Sequence, residues 1–459
     1  MTPAAPVLTL ELDRAARLHT GAAGGLLLGG QPLRVLRLNP TAVRALQRWR
    51  TGAPVTGVTE LVLARRLHDS GVAVLRAMTS RHTSAEVTVV VPAHERAEEL
   101  DRCLAGIGPC AQVVVVDDAS RDATGIAAAA RRHGALLVRR DRNGGPSAAR
   151  NSGLAHVRTP LVAFVDSDVT LSPGWLGQLL PSLLDEQVGV VGPRVVGSGG
   201  SGVLARYEQR SGPLDLGTRP GPVRSGARTG HLPAAVLVCR TTSLAGGFDE
   251  HLRVAEDVDL LWRLDTEGHG VRYEPAVVVS HRTRGSWRGW VAQRHGYGRG
   301  AAELDIRHPG AVAPAVVSRW TAPALLALAL GRPRWAAVCT GLAAANLRTR
   351  LPVGPGRTQE AVRLAGAGLG WTLLGLADAG GRPWLPILLP AAVVSRRARR
   401  LTAAAVAVRL LRQAHADRPE LDLPRWAALR VAEDLAYGTG VWRGALARRR
   451  PAVVLPRIT

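Results

Sequence analysis

From Glu86 onward, short apolar runs alternate with longer stretches in which apolar residues recur at helical spacing. Alternation of this kind is typical of a mostly parallel sheet with crossover helices, in which ligands bind at the carboxyl ends of the strands. The apolar runs predict strands at Val87–Val91, Val113–Val116, Leu136–Arg139, Leu161–Val165 and Val188–Val191. The intervening stretches predict helices at Arg96–Ile107, Thr124–His133, Ser147–His156 and Pro173–Leu184.

Residues 1–80 follow a different pattern and predict a small separate domain. Leu33–Leu38 alternates like one strand of a hairpin, and Asn39 followed by Pro40 is a typical helix start. Apolar residues at helical spacing predict a second helix over Thr59–Leu75. A strand pair followed by two helices and a closing segment, Val72–Leu75, indicates a winged-helix-like unit. The polar segment Thr79–Ala85 is interpreted as the linker to the next domain.

The last third, residues 307–459, is rich in Ala and Leu and predicts helices broken by Pro. It carries 23 Arg against 7 Asp and Glu, most of the net charge of +23. Its longest uncharged apolar run, Leu364–Ala377, is shorter than the roughly 20 residues that a membrane-spanning helix needs. We therefore expect interfacial, re-entrant or buried helices. An anionic membrane surface is the expected partner, and nucleic acid is not, because no recognisable nucleic-acid module accompanies the charge.

Composition excludes several classes of enzyme. All 59 basic residues are Arg, so a Walker A loop and a Schiff-base Lys are excluded, because neither amine can be replaced by a guanidinium. The four Cys show no metal-ligand spacing, and the first residues do not resemble a signal peptide. We expect a cytoplasmic protein, with the inner face of the membrane as the surface that it contacts.

The most informative polar motif is Asp166-Ser167-Asp168, directly after the predicted strand Leu161–Val165. Two carboxylates at this spacing can approach one divalent cation, which prefers oxygen ligands. Such a cation would offset the charge of a departing nucleotide diphosphate. The alternative is a turn that caps the next helix, and the motif alone leaves the two interpretations evenly balanced.

Two further motifs suit the remaining parts of a nucleotide. A carboxylate of Asp117 or Asp118, at the end of another strand, can accept the imide hydrogen of uracil, although an ordinary Asx turn is the simpler interpretation. In the segment 143–151, a Gly pair and Pro146 precede Arg150 by about one helical turn. A helix N-terminus plus a guanidinium suits a diphosphate, but a loop with a surface Arg fits equally well.

Glu256 and Asp257 begin a predicted helix, and either can serve as the base that a sugar hydroxyl needs during attack. The alternative is a favourable interaction of both charges with the helix dipole. His281, after the strand Ala276–Ser280, is either a third metal ligand or a structural residue. Trp287 and Trp290 can stack on acceptor sugars, but packing against Arg-rich helices is favoured slightly.

The order of these motifs is more specific than any one of them. Six segments resemble an inverting family 2 glycosyltransferase over about Glu86–Gly300: residues 89–95 (VVVPAHE), 115–120 (VVDDAS), 149–153 (ARNSG), 164–168 (FVDSD), 246–250 (GGFDE) and 255–259 (AEDVD). The catalytic domain is predicted to be residues 86–306. The resemblance implies a GT-A fold, a UDP-sugar donor and a divalent metal, Mg²⁺ or Mn²⁺. It implies metal binding by Asp166, Asp168 and His281, and a general base at Asp257 with Glu256 beside it. It implies nucleotide-sugar binding by Pro92, Ala93, Glu95, Asp117, Asp118, Arg150 and Asp166.

A narrower resemblance covers nearly the whole chain. Residues 205–208 (ARYE), 213–217 (PLDLG) and 433–442 (EDLAYGTGVW) are similar to the mycofactocin-system glycosyltransferases, and residues 1–80 to PqqD-like peptide-binding domains. This implies a peptide-derived acceptor, mycofactocin or its precursor, and a β-1,4-linked glucose. Residues 293–297 (QRHGY) depart from the Gln-x-x-Arg-Trp pattern of processive synthases, so a short oligosaccharide is expected.

Two alternatives remain at this point. The first is an enzyme of the same fold acting on a lipid-linked or cell-envelope acceptor. The second is a membrane-surface binding protein with relic enzyme motifs, against which the intact Asp-x-Asp motif and Glu256-Asp257 argue.

Overall fold

The computed structural model describes residues 7–21, 24–30, 33–77, 79–283, 285–351 and 357–459. The chain divides into two compact units, Met1–Thr283 and Arg284–Thr459. Position 306, where we expected the catalytic region to end, therefore lies inside the second unit.

The N-terminal part of the first unit contains two small antiparallel sheets and two helices. One sheet has three strands in the order Arg17–Gly21, Gly24–Gly29 and Arg34–Leu38, and the other pairs Leu8–Leu12 with Ala73–Ala77. As predicted, the first helix begins at Pro40, and Asn39 Oδ1 accepts a hydrogen bond from the Ala42 backbone N–H at 2.8 Å. The elements are β1 (Leu8–Leu12), β2 (Arg17–Gly21), β3 (Gly24–Gly29), β4 (Arg34–Leu38), α1 (Pro40–Arg50), α2 (Gly57–Asp69) and β5 (Ala73–Ala77).

The prediction of one helix over Thr59–Leu75 is wrong at its C-terminal end. Helix α2 ends at Asp69, and Gly71, with φ of +70°, reverses the chain direction. Val72 and Leu75 are buried as predicted, but they lie in or beside strand β5. The two residues happen to continue the helical spacing, which is why periodicity alone missed the turn.

The remainder of the first unit has all five predicted strands and the predicted helices. The last of these helices is divided into a short α-helix, Trp175–Leu179, and a 3₁₀ helix, Leu180–Leu184. The elements are β6 (Val87–Ala93), α3 (Ala97–Gly106), β7 (Gln112–Asp117), α4 (Ala123–Arg132), β8 (Leu136–Arg139), α5 (Pro146–Leu154), β9 (Leu161–Val165), β10 (Val169–Thr170), α6 (Trp175–Leu179), β11 (Val188–Ser198), α7 (Val203–Ser211), β12 (Gly221–Pro222), β13 (Val236–Arg240), α8 (Glu256–Thr266) and β14 (Gly270–Arg282).

These strands form one sheet with the order β10-β14-β11-β13-β9-β6-β7-β8, and β12 pairs with β14. Strands β9, β6, β7 and β8 are parallel, as predicted, and the α/β class is confirmed. The sheet as a whole is mixed, because β13 lies antiparallel between β11 and β9. Along β7, Val115 packs into the core on one face, and Val114 and Val116 into the core on the other. Burial on both faces explains why this run does not alternate.

The second unit is helical, as predicted. Helices α9 (Trp287–Arg307) and α15 (Leu423–Arg448) pack so closely that glycine is needed where they touch. A Cβ on Gly298 would lie 2.1 Å from the Tyr437 carbonyl oxygen, and a Cβ on Gly440 would lie 2.1 Å from the His295 carbonyl oxygen. Among the described residues, no helix is long and apolar enough to cross a membrane. The elements are α9 (Trp287–Arg307), β15 (Val316–Val317), α10 (Ala322–Ala329), α11 (Pro333–Arg350), α12 (Arg357–Gly381), α13 (Leu385–Val394), α14 (Arg396–Asp417), α15 (Leu423–Arg448) and β16 (Arg457–Ile458).

Candidate active site

The predicted site residues gather at the carboxyl edge of the parallel strands. Strand β6 lies between β9 and β7, so Ala93, Asp117 and Asp166 come to one edge of the sheet. The turns around this edge contain non-glycine residues with positive φ: Glu95, Arg96 and Ala119 at 58° or 59°, and Ala255 at 67°. Strained backbone of this kind collects at functional sites.

Asp166, Asp168 and His281 form a cluster that fits a divalent cation. One ligand atom from each lies within 4.8 Å of the others. His281 is distant in sequence but is brought there by the pairing of β10 with β14, in which it lies opposite Val169. Asp168 Oδ1 lies 3.2 Å from His281 Nε2. Two carboxylates and an imidazole are a suitable donor set for Mn²⁺ or Mg²⁺.

The two aspartates differ in electrostatics. Burial raises the pKa of Asp166, and the charge of Asp168 adds to this, while Arg150 opposes it. Burial would also raise the pKa of Asp168, but its hydrogen bond to His281 and the charges of His281 and Arg96 bring that pKa below its ordinary value. Asp168 is therefore ionised at neutral pH without the help of a metal.

Arg150 connects the metal cluster to the second acidic pair. Its guanidinium is almost fully buried, donates to Asp166 Oδ1 at 2.6 Å and to Glu256 Oε1 at 3.1 Å, and lies 5.2 Å from the centre of the Phe248 ring. It is carried on α5, which begins after Gly145 at a φ of +85°. We predicted a diphosphate contact for this guanidinium, and in the structure it holds two protein carboxylates.

Glu256 and Asp257 begin helix α8 but have different partners. Glu256 is bound to Arg150, whereas Asp257 accepts backbone N–H bonds from Val258 at 2.8 Å and Ala234 at 3.2 Å. Burial raises the pKa of both carboxyl groups, and the charge of Asp257 raises the pKa of Glu256 further. Among the described residues, no basic side chain lies within hydrogen-bond or ion-pair distance of Asp257, so it is the better placed of the two to accept a proton.

Five of the residues predicted to bind the nucleotide lie at the ends of β6 and β7 or in the turns that follow these strands. Asp117 accepts from the Ser120 backbone N–H at 2.9 Å and forms an ion pair with Arg139. Asp118 accepts from the Gly144 and Gly145 backbone N–H groups at 3.0 and 2.7 Å. Asp118 therefore fixes the glycine loop that precedes Arg150.

The turn after β6 is also held by hydrogen bonds. Glu95 accepts from the Arg121 backbone N–H at 3.0 Å, and Ala93 accepts through its carbonyl from the Asp118 backbone N–H at 2.9 Å. Pro92 lies in β6 and is partly buried. These five residues thus share two strand ends and turns that are joined by hydrogen bonds, whereas Arg150 lies on α5 and Asp166 follows β9.

Three arginines of the site were not predicted. Arg139 pairs with Asp117, Arg140 donates to Asp118 at 2.9 Å, and Arg96 lies 3.7 Å from Asp168. A signal for the first was present, since Asp117 and Arg139 end neighbouring parallel strands and lie opposite each other. The Asp117–Arg139 pair could have been predicted only if the order of the strands in the sheet had been known.

The two tryptophans of α9 have separate environments. Trp290 is buried, and the Arg294 guanidinium lies 5.1 Å from its ring centre, so the packing interpretation is correct for this residue. Trp287 is 54% exposed and meets Trp290 edge-to-face at 6.0 Å.

Comparisons with known proteins show the family of the chain. Residues 88–244 match the family "Glycosyl transferase family 2". The chain belongs to family 2 of the glycosyltransferases, and it is a nucleotide-sugar-dependent enzyme with a GT-A-type sheet. It is 36% identical to the pre-mycofactocin glycosyltransferase of Mycobacterium tuberculosis over 98% of this chain and 97% of that protein. Within the family it therefore groups with the mycofactocin-system glycosyltransferases.

More distant similarities cover less of the chain or are weaker. The succinoglycan biosynthesis protein ExoU of Rhizobium meliloti is 29% identical over 44% of this chain and 65% of that protein. The mannosyltransferase PcManGT of Pyrobaculum calidifontis, solved with GDP-Man and Mn²⁺, is similar with a TM-score of 0.40 and 20% identity, covering 82% of this chain and 89% of that one.

Proposed function

We propose that the enzyme transfers glucose from UDP-glucose, with inversion and in β-1,4 linkage, to mycofactocin or its peptide-derived precursor. The observation that carries the reaction is Asp257, a partly buried carboxylate that is oriented by two backbone N–H groups and lies beside the Arg150–Asp166 pair. The similarity to the pre-mycofactocin glycosyltransferase along the whole chain supports the acceptor.

In this proposal Asp257 accepts the proton of the attacking acceptor hydroxyl, and inversion follows from a single displacement at the anomeric carbon. Glu256 acts through Arg150, which it holds at 3.1 Å and which in turn positions Asp166 at 2.6 Å. Glu256 and Arg150 are thus positioning residues, and they fix the distance between the base and the metal cluster.

Asp166, Asp168 and His281 would hold the divalent metal. When bound, the metal supplies positive charge that stabilises the leaving diphosphate. The turns that contain Pro92, Ala93, Glu95, Asp117 and Asp118 would receive the UDP part of the donor. The lowered pKa of Asp168 keeps this carboxylate ionised, and so able to bind a cation, at a more acidic pH than an ordinary aspartate.

We further propose that residues 1–80 recruit the peptide part of the acceptor, in the manner of a PqqD-like domain. Strand β4 is an edge of its three-stranded sheet and is largely exposed, so an extended peptide can add to it. The unit is fixed to the catalytic sheet by Asp185, which pairs with Arg65 of α2 at 2.6 Å and with Arg272 of β14 at 3.0 Å. A fixed orientation is what a recruiting unit needs in order to deliver an acceptor.

The decisive experiment is incubation of the full-length enzyme with UDP-glucose, other nucleotide sugars and the peptide-derived acceptor, followed by mass spectrometry of the product. Addition of hexose from UDP-glucose supports the proposal. Transfer only to a lipid-linked or cell-envelope acceptor would replace the acceptor assignment and leave the enzyme class unchanged.

The recruiting role has its own test. Val35→Glu on β4 should raise the KM for a peptide-bearing acceptor and leave a small peptide-free acceptor unaffected. Val58→Glu, at an exposed valine on α2 of the same unit, is the matched control. Equal effects of Val35→Glu on both acceptors would show that the unit does not read the peptide.

We also propose that the basic C-terminal region contacts an anionic membrane surface peripherally. Its Arg excess and its exposed apolar helices support this location.

A further inference from the structure

The structure assigns this membrane contact to one surface of the second unit, which we call the tip. The tip consists of the exposed apolar residues at the ends of α10 and α13 and of the arginines that surround them: Leu330, Val393, Val394, Arg332, Arg334, Arg396, Arg397, Arg399 and Arg400. We propose that the tip inserts its apolar residues into the interface of an anionic bilayer while its arginines bind lipid phosphates. This inference rests on the proposed peripheral contact and makes it specific.

Hydrogen bonds bring the ends of both helices to one place. Arg397, in the first turn of α14, donates to the carbonyl of Ala329, the last residue of α10. Arg399 donates to the carbonyls of Ala392 at 3.0 Å and Val393 at 3.3 Å, at the end of α13. The C-terminal ends of α10 and α13 therefore both lie against the start of α14.

The apolar residues at these ends are unusually exposed. Leu330 is 61% exposed, Val393 75% and Val394 87%. Neither α10 nor α13 contains a charged residue, so the exposed side chains continue two apolar helices. Apolar side chains exposed at the ends of two apolar helices that meet the same third helix mark a surface that contacts a partner or a membrane.

The charged side chains around these residues are all positive. The six arginines are exposed, and among the described residues none has a carboxylate partner within ion-pair distance. The sequence has no Asp or Glu between Asp305 and Glu360, nor between Asp378 and Asp417. Trp335, 61% exposed, follows Arg334 at the start of α11 and suits the headgroup region of a bilayer.

Charge complementarity selects the occupant. A second copy of the chain, docked symmetrically through the tip, would bring six arginines against six more without a carboxylate between them. Nucleic acid would satisfy the arginines but leave the apolar residues in water. An anionic bilayer satisfies both, because phosphates lie directly above the acyl chains.

The test measures partitioning of the full-length protein onto vesicles of phosphatidylglycerol and phosphatidylcholine, with vesicles of phosphatidylcholine alone as reference. Leu330→Ser combined with Val394→Ser, and separately Arg396→Gln combined with Arg400→Gln, should each weaken binding to the anionic vesicles by about tenfold or more. Leu446→Ser combined with Leu455→Ser, and separately Arg443→Gln combined with Arg450→Gln, change the same numbers of apolar and charged side chains at exposed positions on or after α15. Both control variants should bind like the parent protein.

The outcomes separate this inference from the proposals above. If the parent protein does not bind anionic vesicles, the peripheral contact and the tip assignment both fail. If it binds but the tip variants bind equally well, only the tip assignment fails. A tip variant that changes a dimer to a monomer in sedimentation while vesicle binding stays constant would assign the tip to a second copy. Transfer to a soluble acceptor, measured in parallel, should be the same in all variants and reports separately on the proposed chemistry.

Discussion

Arg150 in the active site and Arg396 at the tip carry the same charge in opposite surroundings. Arg150 is buried between Asp166 and Glu256, and its own pKa is raised by these carboxylates against the effect of burial. Arg396 is exposed, in a stretch of sequence that has no acidic residue. The arginines behind the net charge of +23 therefore include both buried, paired residues and exposed, unpaired ones. Pairing decides whether an arginine organises a site or stays available to an outside partner.

The largest effect that we predict concerns the base. Asp257→Asn should lower kcat by about 10²–10⁴-fold with little change in donor affinity, because only proton abstraction is removed. Glu256→Gln should have a smaller effect, since Glu256 acts through Arg150. Asp265→Asn, on the same helix, is the control. Steady-state kinetics would show the wrong carboxylate was chosen if Glu256→Gln abolished transfer and Asp257→Asn did not.

The comparison of paired and unpaired arginines can be tested through stability. Arg409 of α14 is buried and pairs with Asp434 at 2.6 Å. Arg409→Gln leaves that carboxylate without its main partner and should lower the free energy of unfolding by about 3–5 kcal/mol. Arg396→Gln, on the same helix, should change it by less than about 0.5 kcal/mol. Similar denaturation midpoints for both variants would show that pairing does not distinguish them.

The metal cluster gives the next prediction. Asp168→Asn replaces an anionic carboxylate by a neutral amide, a weaker ligand for a divalent cation, so the metal concentration needed for half-maximal donor turnover should rise at least about tenfold. Asp101→Asn changes a carboxylate on α3 that pairs with Arg132 and His133 instead, and it should leave the metal requirement unchanged. Full activity of a folded Asp168→Asn protein in excess chelator would contradict the metal assignment.

Local sequence predicted the sheet and the positions of the acidic motifs, because apolar strands and the polar residues after them follow from periodicity. It did not predict the contacts of Arg150, which pairs with Asp166 and with Glu256 of α8, because residues distant in sequence form these pairs. Strand β5 was missed because Val72 and Leu75 fit both a helix and a strand. Strand β13 was not among the predicted strands, although Val236–Cys239 is an apolar run, and its antiparallel direction leaves no local pattern in the sequence.

The smallest predicted effect is a shift in pH dependence. Burial raises the pKa of Asp257 and Glu256, while the charge of Arg150 lowers the pKa of both. A base works only when deprotonated, so activity should be present above the raised pKa and be lost as the pH falls through it. The acid limb of kcat/KM should then lie above the pKa of about 3.9 of an ordinary aspartate.

Arg150→Gln removes the charge that opposes the effect of burial on the pKa values of Glu256 and Asp257. It should therefore move the acid limb of kcat/KM to a still higher pH, in addition to any loss of rate. Arg263→Gln is the control. It removes an arginine that pairs with Asp259 at 3.0 Å on α8, the helix of Asp257, and it should leave the acid limb unchanged. The measurement is kcat/KM against pH for the three proteins under one metal concentration. An acid limb that stays fixed in Arg150→Gln would mean that a group outside the Glu256–Asp257 pair controls the rate, because the Arg150 charge acts on both members of the pair.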